Sequence, residues 1–316
     1  MTQVISYGNG IHAVDARYLR PELAAVYLIV ENGRVGLVDT GTNDSLPFVM
    51  DALDAINVTA TQVEYVLLTH IHLDHAGGAG LMMRTFPNAR LVVHPRGVRH
   101  MIDPSRLIEG ATAVYGAEEM QRLYGDVLPV DGARIVEASH DLRVDLGGRL
   151  LHILDTPGHA RHHVCIRDEK TGHVFTGDTF GLSYPAFDAG GRRFVYPGTT
   201  PVQFNPQEMH ASIDLLLGFK PAAFYLTHFG QVTDVVNVAR DVHRLIDAYV
   251  EIARRHAQAG EARHARICAD LASLMVAEIH AIGCRLGREE ILALLAHDIG
   301  INAQGLEVWL DSTLRT

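Results

Sequence analysis

The stretch that decides the fold is Thr69-His-Ile-His-Leu-Asp-His-Ala-Gly-Gly78, which follows the apolar run Tyr65-Val-Leu-Leu68. Three imidazoles and a carboxylate fall within six positions at the end of a predicted strand. In an extended segment His70 and His72, two residues apart, project to the same side. Asp74 and His75 fall where the chain turns into the next helix, and Gly77 and Gly78 are expected to let the helix start approach a bound ion closely.

Working outward, three more strand ends carry a residue able to bind a metal: His159 in "LDTPGH", Asp178 in "VFTGD" and His228 in "FYLTH". Strand ends brought to one edge of a sheet can build a site from residues far apart in sequence. His70, His72 and His159 make one three-nitrogen set, Asp74, His75 and His228 a second, and Asp178 the bridge. Imidazole and carboxylate without thiolate suit Zn(II), with Fe(II) or Mn(II) as alternatives. Two such cations about 3.5 Å apart hold a shared water and bring its pKa toward about 7, so hydroxide is the expected nucleophile and Asp74 its proton shuttle.

Around these residues, short strands alternate with helices up to about Gly230. "AAVYLIV" and "RVGLVDTG" flank the turn "ENG", "NDSLPFVMDALDAI" is a capped helix, and "EYVLLTH", "ARLVVHP", "LRVDLGGRLLHILD", "HHVCIRD", "HVFTG" and "AAFYLTH" are further strands. Residues 97–132 weaken into short helical pieces and form a lid-like insertion. An aromatic loop follows Asp178; its Phe180, Tyr184, Phe187, Phe194, Tyr196 and Phe204 either pack the loop or line an apolar pocket. After Gly230, Val235, Val238, Val242, Leu245, Tyr249 and Ile252 mark one face of a long helix. "ARICADLASLMVAEIHAI", "REEILALLAHDI" and "GLEVWLDS" follow as further helical segments. The expected plan is a catalytic core over 1–230 and an all-helical extension over 231–316 packed on it.

Composition narrows the function classes. With 316 residues, 47% apolar and 20% charged, the chain is ordinary globular protein. Its net charge is -10 and Lys170 and Lys220 are its only lysines, so no groove for nucleic acid is expected. No leader-like start and no run of roughly 18 apolar residues is found, which points to a cytoplasmic protein without membrane contact. Cys165, Cys268 and Cys284 form no CxxC pair, so a thiolate site is not expected. Cys165 reads as core, and His12, His94, His100, His152, His162, His163 and His173 as ordinary hydrogen-bonded or exposed histidines, with His162 and His163 close enough in sequence to support the site.

These motifs resemble the metallo-β-lactamase superfamily: Asp39 in "LVDTG", HxHxDH at His70 to His75, His159 in "TPGH", Asp178 in "FTGD" and His228. The resemblance implies an α/β fold, the αββα sandwich of two mixed β-sheets flanked by helices, with a dinuclear site along one edge and Asp39 bonding beside the metal loop rather than to metal. An Asp at the bridging position departs from the class B β-lactamases. "THIHLDHAGG" and "FTGDTF" are similar to glyoxalase II, although its basic glutathione-binding stretch has no counterpart in "GLSYPAFDAG". The implied activity is metal-dependent hydrolysis of an ester, thioester or lactone of a small, partly apolar substrate. The alternatives are a mononuclear-iron enzyme like the persulfide dioxygenases and a metal-binding protein without catalysis. The apolar tail face is also a candidate homodimer surface. No motif identifies the substrate, which residues 97–132 and the loop after Asp178 would select.

Overall fold

The computed structural model describes residues 3–313, so the outermost positions of the expected spans 1–230 and 231–316 lie outside it. The first sheet holds seven strands in chain order: β1 (Val4–Gly8), β2 (Ile11–Asp15), β3 (Ala25–Glu31), β4 (Arg34–Val38), β5 (Val63–Leu67), β6 (Arg90–Val93) and β7 (Ile135–Glu137). Pairing is antiparallel from β1 to β4 and parallel from β4 to β7. The switch follows from the connections. Asn32 and Gly33, with φ of 46° and 75°, close β3 onto β4 as a two-residue hairpin whose positive φ values match the strand twist. A parallel return needs a longer crossover, and helix α1 (Leu46–Ala55) supplies it between β4 and β5.

The second sheet contains β8 (Arg143–Leu146), β9 (Arg149–Asp155), β10 (Val164–Asp168), β11 (Val174–Gly177), β12 (Phe224–Leu226) and β13 (Gly230–Val232), ordered β13 to β8 across the sheet. Its β11–β12 pair is parallel and its β8–β9, β9–β10 and β10–β11 pairs antiparallel. Both sheets are therefore mixed, as expected. Their facing sides share one core. Tyr27 of β3 packs edge-on against Phe175 of β11 at 5.3 Å, and Phe175 stacks on Tyr225 of β12 at 4.9 Å. Ile29, Leu67, Val92, Leu146, Ile153 and Ile166 fill the rest of that layer, each worth roughly 1.5–3 kcal/mol when fully buried.

Five helices lie between β5 and β7 in the chain: α2 (Leu73–Ala76), which carries Asp74 and His75, α3 (Ala79–Thr85), α4 (Pro95–Ile102), α5 (Ser105–Tyr115) and α6 (Ala117–Tyr124). Helices α4 to α6 occupy most of the expected lid-like segment.

The chain divides into two compact units. One comprises Met1–Asp155, His162–Gly177 and Pro221–Gln231; the other Thr156–Arg161, Asp178–Lys220 and Val232–Thr316. The helical unit thus gathers two internal segments together with the tail. Its helices are α7 (Pro206–Gly218), α8 (Val235–Arg255), α9 (Arg263–Ala281) and α10 (Arg288–Thr313). The expected apolar face of α8 is buried at all six positions, and α8 packs against α7, α9 and α10. Two of the expected tail segments, "REEILALLAHDI" and "GLEVWLDS", are one continuous helix through Gly300 and Gly305. A helical glycine costs about 1 kcal/mol, and tertiary contact explains why Gly305 is tolerated. The Thr199 backbone occupies the space a Cβ at Gly305 would need. Asn302 holds that backbone in place, its side-chain oxygen accepting from Thr199 N at 2.6 Å.

The aromatic loop is a core of its own in this unit. Tyr184, Phe187, Phe194 and Tyr196 are buried and form a chain of ring contacts with centroids 5.8–6.2 Å apart. Among the described residues no helix is long and apolar enough to cross a membrane.

Candidate metal centre

In the sandwich unit the chain leaves β4, β5 and β12 at neighbouring points, and one carboxylate ties the three exits together. Asp39, fully buried and at φ 60°, follows β4. This left-handed conformation is one that Asp tolerates better than most non-glycine residues. Its Oδ1 accepts from Thr69 N at 2.8 Å, beyond the end of β5. Its Oδ2 accepts from Thr227 Oγ1 at 2.8 Å, beyond the end of β12 in the other sheet, and from His75 Nδ1 at 2.9 Å. Thr69 Oγ1 adds a further bond at 2.9 Å. Asp39 therefore joins both sheets to the ligand turn.

Asp39 also sets the protonation pattern of the candidate ligands. A carboxylate only accepts, so the proton of neutral His75 sits on Nδ1 and the lone pair on Nε2. His228 shows the same arrangement, with Nδ1 donating to the Leu23 carbonyl at 2.7 Å. The two Nε2 atoms face each other, His228 Nε2 lying 3.3 Å from His75 Nε2. Asp74 Oδ2 completes the triangle at 3.2 Å from His228 Nε2 and 3.6 Å from His75 Nε2. One carboxylate oxygen and two imidazole nitrogens this close together make a donor set of the kind that divalent cations take. Imidazole rings oriented through their second nitrogen are the usual state of metal ligands. Asp74, His75 and His228 thus fit a divalent cation.

His70 and His72 extend the cluster. His70 Nδ1 is 3.1 Å from Thr69 Oγ1, and since that hydroxyl donates to Asp39, His70 donates to it and keeps its lone pair on Nε2. That Nε2 faces His72 Nδ1 at 2.9 Å. The rings of His162 and His163 pack against His70, with centroids 6.2 and 5.0 Å away. Both were expected to be ordinary histidines, and their rings lie beside the cluster. Gly177, at φ 49°, leaves the space that the His163 ring and Thr69 occupy.

The expected purpose of Gly77 and Gly78 needs correcting. Their φ values are -59° and -83°, open to any residue. A Cβ at Gly78 would lie 2.6 Å from the Thr42 carbonyl oxygen. Gly78 N instead bonds Gly41 O at 2.9 Å. Gly78 makes room for the backbone after Asp39 and Gly77 for the Leu73 carbonyl; the backbone after Asp39 is also held by Thr40 Oγ1 donating to His75 O at 2.7 Å.

The helical unit holds the two remaining expected ligands side by side. His159 Nδ1 donates to Gly198 O at 2.9 Å, and its Nε2 lies 3.6 Å from Asp178 Oδ2. His159 therefore has the same ligand-ready tautomer as His75 and His228.

Near Asp74, Tyr124 of α6 stacks on Tyr18 at 5.8 Å, and Tyr18 Oη donates to Tyr124 Oη at 2.9 Å. Burial first, and the Asp74 carboxylate second, push the Tyr124 pKa far above its ordinary value. Its hydroxyl stays protonated at any physiological pH. Neither tyrosine was singled out by sequence, and no local pattern marks them.

Thr69 and Thr227 were also passed over, though a signal existed. "LTH" occurs twice, at Leu68-Thr69-His70 and Leu226-Thr227-His228, each time at a strand end. In both copies the Thr bonds Asp39 and the next residue is a candidate ligand. The other histidines behave as ordinary ones. His94 caps α4, His152 bonds Asp141 at 2.8 Å and His173 bonds the Tyr225 hydroxyl at 3.0 Å.

Comparison with known proteins agrees with this picture. A sequence profile described as the metallo-beta-lactamase superfamily matches residues 19–228. A metallo-beta-lactamase fold-containing protein of Sulfurisphaera tokodaii is 27% identical over 71% of this chain and 80% of its own length. A hydroxyacylglutathione hydrolase of Stenotrophomonas maltophilia is 29% identical over 63% of this chain and 57% of its own. Among solved structures, a metallo-beta-lactamase family protein of Thermus thermophilus superposes with a TM-score of 0.65 at 19% identity, covering 98% of this chain and 95% of that one.

Proposed function

The chain belongs to the metallo-beta-lactamase superfamily, and from that premise we propose that it is a dinuclear metal-dependent hydrolase, cleaving a thioester, ester or lactone of a small substrate. In this reading Asp74, His75 and His228 hold one cation, His70, His72 and His159 hold the other, and Asp178 serves both. Zinc is the metal that imidazole and carboxylate donors suit first. Thioesters head the substrate classes because two relatives carry names of that kind. One is the hydroxyacylglutathione hydrolase; the other is an atrochrysone carboxyl ACP thioesterase of Passalora fulva, 29% identical over 48% of this chain and 36% of its own.

The observation that carries the reading is the triangle of Asp74 Oδ2, His75 Nε2 and His228 Nε2, with both ring protons committed elsewhere. Divalent cations at such a site polarise a carbonyl and bring the pKa of water toward about 7. The protein's own residues do the rest. Asp39 and the Leu23 carbonyl keep the two imidazoles aimed, so no reorientation is needed when substrate arrives. Asp74 is the trio's solvent-reachable member, its side chain 20% exposed. Its carboxylate takes the proton released by the attacking water and returns it to the leaving oxygen or sulfur. The Tyr124 hydroxyl, held protonated, is a standing hydrogen-bond donor on the lid side.

Metal analysis combined with a panel of acyl thioesters, p-nitrophenyl esters and lactones tests this. Two tightly bound zinc ions per chain and turnover that falls about 10²–10⁴-fold in Asp74→Asn are expected. One iron per chain with oxygen consumption would replace the hydrolytic reading with an oxidative one. Full turnover in Asp74→Asn would remove the proton-shuttle role.

A further inference from the structure

The helical unit contains a second group of metal-type donors that the proposed reaction does not use. His210 of α7 and His243 of α8 meet edge to edge, with ring centroids 4.9 Å apart and planes 8° from parallel. Their Nδ1 atoms lie only 2.5 Å apart. Each ring has a carboxylate at its far nitrogen: Asp247 Oδ1 is 3.2 Å from His210 Nε2, and Asp214 Oδ1 is 3.3 Å from His243 Nε2. A carboxylate at Nε2 selects the tautomer with the proton on Nε2. Both Nδ1 lone pairs then point at the same space between the helices. Two lone pairs at that separation repel, and a cation between them removes the repulsion.

We propose that His210 and His243 form a surface site for a divalent transition-metal cation, with Asp247 and Asp214 as the positioning residues. A zinc ion with nitrogen ligands at about 2.0–2.1 Å in tetrahedral geometry sets those nitrogens about 3.3 Å apart. The rings need to part by about 1 Å and to tilt so that both Nδ1 atoms aim at the ion. Side-chain exposures of 27% for His210 and 23% for His243 leave both rings room to move and a path for the ion from solvent. Two protein ligands leave the remaining positions to water, so the site binds metal more weakly than one closed by four side chains. The cation would fasten α7, which follows the aromatic loop, to α8, which opens the tail. The donor pattern repeats the carboxylate–imidazole logic of Asp39 and His75 with no residue in common, so it stands or falls independently of the proposed hydrolysis.

Calorimetric titration of metal-stripped protein with zinc chloride near neutral pH tests the site. Wild type is expected to bind one zinc ion per chain more than His243→Gln, and Asp247→Asn to keep that ion with about ten-fold weaker affinity. Equal stoichiometry in wild type and His243→Gln overturns the proposal and leaves a proton shared between the rings as the reading of the short contact. His210→Gln is the replacement variant should His243→Gln fail to fold. Histidine side-chain nitrogen spectra of wild type need no variant: zinc added after the tighter sites are filled should move the Nδ1 signals of His210 and His243. If those signals stay in place, the site does not exist.

Discussion

Asp39 and Asp168 are both fully buried carboxylates of the sandwich unit, and they are satisfied in opposite ways. Asp168, at the end of β10, faces the buried Arg149 at the start of β9 through a fork of two bonds, Nε to Oδ1 at 2.9 Å and Nη2 to Oδ2 at 2.6 Å. Thr171 Oγ1 and Lys170 N also donate to it, and Arg149 Nη1 donates to Asn9 O at 2.7 Å in the β1–β2 turn. This closed pair clips the two sheets together. Asp39 meets no guanidinium or ammonium; its partners are a backbone amide, two hydroxyls and one imidazole. A neutral donor shell leaves Asp39 its negative charge, which acts through His75 on whatever His75 binds. One carboxylate holds the fold and the other aims a ligand.

Four measurements would break or sharpen that contrast. The largest expected effect is on folding: Arg149→Met leaves Asp168 buried without its counter-charge and should cost about 3–5 kcal/mol in urea unfolding. The folded fraction should still bind zinc as wild type does, and a matching loss of zinc affinity would erase the distinction. Asp39→Asn comes next, because an amide can donate to His75 Nδ1 and turn the ring to the tautomer with its proton on Nε2. Zinc affinity, measured against a competing chelator, should fall about 10–100-fold, with less loss of stability than in Arg149→Met.

Thr227→Val keeps the side-chain shape and removes one donor to Asp39. It should cost about 1 kcal/mol and weaken zinc binding only a few-fold; an effect as large as that of Asp39→Asn would mean that the hydroxyl has a role of its own. The last effect is absent at neutral pH. Burial alone would raise the Asp168 pKa, but the Arg149 fork, Thr171 and Lys170 N outweigh it and hold the value below that of an ordinary aspartate. A depressed carboxylate stabilises the fold above its unfolded value of about 3.9 and loses that contribution as pH falls through the folded value. Urea midpoints of wild type should therefore drop in acid below about pH 4, and this step should shrink in an Arg149→Met, Asp168→Leu double variant.

Much of the candidate site was legible because strand periodicity and ligand spacing are local. Asp178 and His228 stand within two residues of a strand end and His70 within three, while Asp74 and His75 lie in α2 and His159 four residues beyond β9, so the apolar strands nearby gave each candidate an approximate place. Asp39 could be assigned beside the ligand turn, but its bond to Thr227 joins residues 188 positions apart, which no local pattern encodes. Strands β1, β2, β7 and β13 were passed over; "VISYG", "IVE" and "GQV" are short and only weakly patterned, and "IHAVD" is also only five residues long. "REEILALLAHDI" and "GLEVWLDS" read as separate segments, and the structure joins them as α10, with Gly305 packed on the Thr199 backbone. The aromatic loop after Asp178 left packing and pocket lining equally open, and only the ring contacts among Tyr184, Phe187, Phe194 and Tyr196 showed a packed cluster.

The sequence by itself determined the donor types, their order and the strands that deliver them, because side-chain chemistry and the two-residue period of a strand are properties of neighbours along the chain. The tertiary structure alone decided which nitrogen of each ring carries the proton. That depends on an acceptor supplied from elsewhere in the fold, Asp39 for His75, Leu23 for His228 and Gly198 for His159, and a lone pair can be aimed only by a partner fixed on the other side of the ring.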